Sequence, residues 1–97
     1  MKEDILKIIN HYGFRNQLKK LNEECYELIE AVIDYMDDGA RCTLKEHIAE
    51  EIADCMVLLE QFRLYYDIPT EKIRKVMEYK VKRQIERIEN ESNWFIK

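Results

Sequence analysis

Apolar positions recur along most of this chain at intervals of three and four residues, the period of a helix that buries one face. Ile5, Ile8 and Ile9 share one side of a short first segment, about Lys2 to Tyr12, which Gly13 breaks. From about Arg15 to Met36 the spacing continues through Leu18, Leu21, Cys25, Leu28, Val32 and Tyr35. Asp37-Asp38-Gly39 then supplies a stop, with Gly39 suited to a left-handed cap. Thr43-Leu44-Lys45-Glu46 reads as a capping box, and the helix it opens extends to about Tyr66. Its stripe is Leu44, Ile48, Ile52, Cys55, Leu59 and Phe62. Asp67-Ile68-Pro69-Thr70 is the next break, with Thr70 as N-cap of a helix over about Glu71 to Glu91 that carries Ile73, Val76, Met77, Val81, Ile85 and Ile88. Trp94-Phe95-Ile96 forms an apolar tail suited to docking, for instance on a partner subunit.

The pattern predicts one all-α domain over residues 1–97, a small helical bundle of three long helices plus a short N-terminal helix. With 2 Gly and 1 Pro, the chain has little material for hairpins or long loops. A chain of 97 residues buries a modest fraction of its surface, so oligomerisation is an expected way to complete the core. The formal net charge of −4 argues against specific nucleic-acid binding, which needs a basic surface. Charges interrupt every apolar run well short of a membrane span, and the N-terminus lacks a signal-peptide core. The expectation is a soluble, cytoplasmic protein without a membrane partner. The cysteines Cys25, Cys42 and Cys55 lack zinc-type spacing. Cys25 and Cys55 fall within the stripes, as small buried hydrophobes in a reducing compartment would.

The candidate chemistry is acidic. Helical geometry projects Glu51 and Asp54 beside Ile48, Cys55 and Leu58, at the edge of an apolar face where ionised carboxylates are rare unless paired or metal-bound. A second set, Glu23-Glu24-x-x-Glu27, lies on the preceding helix. Residues three apart on a helix are neighbours, so Glu24 with Glu27, and Glu51 with Asp54, can each aim two carboxylates at one point. Side-by-side packing of the two helices would gather all four. Two such charges about 4 Å apart repel by about 4 kcal/mol at an effective dielectric near 20, a conflict that a divalent ion removes. All-oxygen ligation selects Mg²⁺ or Mn²⁺ over zinc.

Chance pairs weigh against this. The chain has 20 acids, and Glu27/Glu30 and Glu86/Glu89 share the spacing, so Glu24/Glu27 alone is equally a solvated face. Glu51/Asp54 is harder to dismiss because of its apolar neighbours. A di-iron site is excluded, since neither His11 nor His47 follows a Glu at the required interval. His47 reads as a rim histidine. Lys80, Arg83 and Arg87 share one side of the last helix, as a phosphate grip or as a solvated basic stripe. Spacing alone assigns no role to Gln17.

Taken together, Glu23-Glu24-x-x-Glu27 and Glu51-x-x-Asp54 on successive helices resemble the signature of the all-α nucleoside triphosphate pyrophosphohydrolases, and most of all the small MazG-like proteins. Gln17-Leu18-Lys19-Lys20-Leu21, the run from Ile52 to Leu59, and Tyr79-Lys80-Val81-Lys82-Arg83 extend the similarity over about Gly13 to Ile88. The resemblance implies Mg²⁺ ligands at Glu24, Glu27, Glu51 and Asp54, and water attack on the α-phosphorus of a nucleoside triphosphate to give the monophosphate and pyrophosphate. Glu24, or Glu23 beside it, would orient or deprotonate that water. Lys80 and Arg83, with Arg87 and Gln17, would contact the substrate. An Asn that often precedes the basic pair in MazG proper is missing here. The resemblance also implies a homodimer or homotetramer. Phosphoribosyl-ATP hydrolysis, and a helical binding or regulatory module without turnover, are the alternative readings.

Overall fold

The computed structural model describes residues 1–38 and 42–96, with side chains at 1–37 and 44–91. They form four α-helices and no strand among the described residues: α1 (Lys2–Tyr12), α2 (Phe14–Asp38), α3 (Cys42–Tyr65) and α4 (Thr70–Ile96). The architecture is all-α, as the periodicity predicts. None of these helices is long and apolar enough to cross a membrane. The expected cap at Gly39, the side-chain contact of Thr43 in the capping box, and the docking of Trp94, Phe95 and Ile96 lie outside the described residues.

The helices divide into two units, Met1–Asp67 with α1 to α3 and Ile68–Lys97 with α4. In the first, the corner between α1 and α2 is a single residue. Gly13 adopts φ 91°, ψ 150°, a conformation open essentially to glycine alone. Its amide closes the last turn of α1 on the Ile9 carbonyl at 2.8 Å, and its own carbonyl accepts from the Gln17 amide at 3.1 Å to start α2. Asn16 Nδ2 donates to the Tyr12 carbonyl at 2.7 Å, satisfying a group that the end of α1 leaves open.

Within this unit α2 and α3 pack most extensively, and α1 lies mainly against α3. The buried side of α2 is Gln17, Leu21, Glu24, Leu28, Ala31 and Tyr35, a line at alternating intervals of four and three. It is one position out of phase with part of the predicted stripe: Leu18, Cys25 and Val32 are exposed. On α3 the buried or half-buried line is Ile48, Glu51, Cys55, Leu58, Gln61 and Phe62, while Ile52 and Leu59 are 44% and 55% exposed. Cys55 is therefore the buried thiol that was expected, whereas Cys25 is not. Alpha2 has a more polar contact face than hydrophobicity alone suggests, because Gln17 and Glu24 occupy it.

An aromatic cluster sets the register. Phe14, at the start of α2, meets Phe62 edge-on at 5.4 Å between ring centres and Tyr65 at 4.8 Å, both near the end of α3. Each such pair adds about 0.5–1.5 kcal/mol beyond area burial. The helices thus run antiparallel, and this pairing brings Gln17 to Gln61 and, two turns on, Glu24 to Glu51 and Asp54. Two residues past the end of α3, Asp67 lies in the left-handed region at φ 55°, which Asp tolerates better than most residues.

In the second unit the Pro69 carbonyl accepts from the amides of Lys72 at 3.1 Å and Ile73 at 3.4 Å. Pro69, not Thr70, therefore holds the N-cap position, and Thr70 is already helical. Alpha4 continues five residues past the predicted end at Glu91. Arg74 bridges Glu71 and Glu78 on its surface.

Candidate functional site

Three carboxylates converge where the buried lines of α2 and α3 meet. Glu24, Glu51 and Asp54 each offer an oxygen, all within 4.8 Å of one another. Glu24 and Glu51 are only 6% and 7% exposed; Asp54 is exposed and faces the opening. Glu24 Oε1 accepts an ion pair from Lys20 Nζ at 3.1 Å, and its buried Oε2 has no partner. Glu51 Oε1 lies 3.7 Å from His47 Nε2, beyond hydrogen-bond length, and its buried Oε2 likewise has none. A buried carboxylate oxygen without a donor is strongly unfavourable, and two of the three converging residues carry one.

Glu27, the fourth expected ligand, stands one turn along α2 from Glu24 and is exposed. A hydrogen bond with the Glu24 carboxylate, and then its charge, hold the Glu27 carboxyl above its ordinary range, with Glu51 adding a smaller push. The carboxylates that come within 4.8 Å of one another are those of Glu24, Glu51 and Asp54; Glu27 is not among them. Burial raises the Cys55 thiol above its ordinary value, and the neighbouring Cys25 thiol and the charges of Glu24 and Glu51 add to that. The ion pair with Glu24 raises Lys20.

A groove of about 590 Å³ opens beside this cluster, the size range of small-molecule sites. Glu23, Glu24, Asp54, Lys19 and Lys20 line it, together with Ile8 and Tyr12 of α1 and Gln17 and Gln61. Gln17 Nε2 donates to Gln61 Oε1 at 2.8 Å, and Gln61 is 2% exposed. That bond uses the Gln17 amino group and the Gln61 carbonyl.

Of the residues singled out in the sequence, the structure thus assembles Glu23, Glu24, Asp54 and Gln17 around one groove, with Glu51 buried against Glu24 and Asp54. Lys80, Arg83 and Arg87 lie on α4, in the other unit. Lys80 and Arg87 are exposed; Arg83 is half-buried, its guanidinium carbon 5.7 Å from the Tyr79 ring centre. Sequence reasoning missed Gln61 and Lys20. Gln61 was detectable as a polar residue one heptad after Asp54, on the helix face that also carries Leu58. Lys20 was detectable as the cation one turn before Glu24. Compared with protein-family models, curated proteins and solved structures, the chain matches none.

Proposed function

We propose that this groove is the site of a Mg²⁺-dependent nucleoside triphosphate pyrophosphohydrolase of the all-α type, with Mn²⁺ as the alternative ion. One observation carries the reading: Glu24 and Glu51, each with a buried Oε2 that has no partner, converge with Asp54 within 4.8 Å beside a groove large enough for a nucleotide. A hard divalent cation suits this donor set, which is all oxygen and carries excess negative charge. Glu24, Glu51 and Asp54 would hold it, and the resemblance adds Glu27, one turn along α2 from Glu24, as a fourth ligand. When bound, the ion supplies the positive charge that attracts triphosphate oxygens and makes water more acidic.

The side chains divide the remaining work. Glu23 lines the groove without belonging to the cluster, so it is free to orient or deprotonate a water, with Glu24 as the second candidate for that step. Gln17 and Gln61 present an amide carbonyl and an amide amino group to the nucleoside part. Tyr12 offers a ring face in the same groove. Roles for Lys80, Arg83 and Arg87 at the phosphates rest on the resemblance alone.

A second copy of the chain fits the same reading. Ile29, Ile33 and Met36 of α2 and Ile52, Met56 and Leu59 of α3 are exposed, more apolar surface than a lone small domain usually presents. A homodimer or homotetramer would cover it, and light scattering at micromolar protein reads the mass directly. For the activity, the test is pyrophosphate release from ribo- and deoxyribonucleoside triphosphates and phosphoribosyl-ATP, with Mg²⁺ or with EDTA. Release that needs the metal and fails in Asp54→Asn supports the reading. No release from any member of the panel, together with no Mg²⁺ or Mn²⁺ binding, refutes it.

A further inference from the structure

We propose that Lys20 is an exchangeable counter-ion of the carboxylate cluster: it neutralises Glu24 while the site is empty, yields to the incoming divalent cation, and then binds ligand phosphate. The inference rests on the metal reading above. Its starting point is the asymmetry of the pair. The Glu24 side chain is 8% exposed, whereas that of Lys20 is 52% exposed, so the ammonium reaches down from solvent onto a buried acid. The Lys20 ammonium is therefore held from the solvent side and lines the groove, where it can be exchanged.

Helix energetics alone do not explain the pair. Lys20 precedes Glu24 by four residues, the weaker order for an i,i+4 ion pair. The cluster itself gives a better reason. Three acids share one point, two of their buried oxygens lack donors, and Lys20 supplies the ammonium in contact with Glu24. A divalent cation held by Glu24 would meet that ammonium as a like charge at short range and displace it. Lys20 also lines the groove beside Lys19, so the displaced ammonium stays where an anionic ligand would lie. One side chain would thus hold the empty site together and contact phosphate in the filled one.

The test uses Lys20→Met, which keeps the apolar stem and removes the charge. Mn²⁺ binding, read as loss of the free-ion signal in electron paramagnetic resonance, needs neither nucleotide nor turnover. Removing this competing ion pair, open to solvent on its lysine side and worth about 1 kcal/mol, should tighten Mn²⁺ binding by about fivefold. Lys20→Arg retains the competitor and should bind Mn²⁺ no more tightly than wild type. With the metal saturating, affinity for a non-hydrolysable nucleoside triphosphate should move the other way, about tenfold weaker in Lys20→Met, for loss of one charge-assisted contact. Opposite shifts in the two affinities support the proposal. Unchanged or weaker Mn²⁺ binding in Lys20→Met overturns it and makes Lys20 a structural partner of Glu24. Unchanged nucleotide affinity overturns the phosphate half. Wild type that binds no Mn²⁺ fails earlier, at the metal reading itself, and takes this proposal with it.

Discussion

Glu51→Gln should stabilise the metal-free protein and abolish its response to Mg²⁺. The substitution keeps shape and volume and removes one charge from a site where three carboxylates come within 4.8 Å of one another. At that separation and an effective dielectric near 20, each like-charged pair repels by about 3.5 kcal/mol. Glu51 takes part in two such pairs, but Lys20 already offsets part of the charge at Glu24 and Asp54 is open to solvent. A net gain of about 1–3 kcal/mol is therefore expected. The new amide can also donate to Glu24 Oε2, which now lacks a partner. For a domain of this size each kcal/mol moves the melting temperature by about 4–8 °C. Wild type should gain about 2.7 kcal/mol from Mg²⁺ at a hundredfold its dissociation constant, and the variant almost none. Urea and thermal unfolding in EDTA and in millimolar Mg²⁺ give all four values. A variant less stable than wild type in EDTA, or one that keeps the full Mg²⁺ response, would refute the account of Glu51 as a charge held in reserve for a cation.

Three further outcomes follow from other parts of the site and its frame. Because the hydrogen bond with Glu24 raises Glu27 in the folded state, its contribution to metal-free stability is complete below the ordinary value of 4.5 and is lost as pH rises through the raised one. Mg²⁺ affinity should climb over the same window, and Glu27→Gln should flatten the pH dependence of the urea midpoint there. Gly13→Ala meets no atom within 4 Å of the added Cβ, so it should destabilise by backbone strain alone, about 1–3 kcal/mol by urea denaturation. Gln61→Leu leaves the Gln17 amide without its buried acceptor and should cost about 1–3 kcal/mol, while the double Gln17→Leu, Gln61→Leu variant should recover part of that in a mutant cycle.

The helices were legible because their punctuation is chemical. Gly13, the run from Asp37 to Gly39, and Pro69 interrupt the periodicity of the sequence, and the boundaries of α1 to α3 fall within two residues of that reading. The far end of α4 was not legible: Glu89, Asn90, Glu91 and Ser92 dilute the apolar pattern without breaking the helix, which continues to Ile96. The rotation of each helix was harder. A stripe is phased by assuming that the most apolar side is the buried one. On α3 that assumption merges two faces, since Cys55 and Leu58 point into the unit while Ile52 and Leu59 lie on exposed surface. Hydropathy cannot separate a face that packs within the chain from one available to a second copy.

On α2 the same assumption fails for a different reason, and the failure marks the site. The buried line carries Gln17 and Glu24 seven residues apart, where a purely structural helix would place Leu or Ile. Shifting the line by one position replaces them with Leu18 and Cys25, which look better by hydrophobicity and are exposed. The helix therefore gives up apolar burial at the two positions where it meets Gln61 and the pair Glu51 and Asp54 of α3. Each of those partners also stands on or beside an apolar line of its own helix. Polar residues placed on the buried faces of two neighbouring helices, at matching heights along an antiparallel pair, are expensive for stability and become reasonable only if they meet a ligand or one another. Gln17 and Gln61 hydrogen-bond to one another; Glu24 and Glu51 come together as like charges, and each keeps a buried oxygen unpartnered. The acid half of this seam is thus the part that folding alone does not account for, and it is there that a cation would complete the structure.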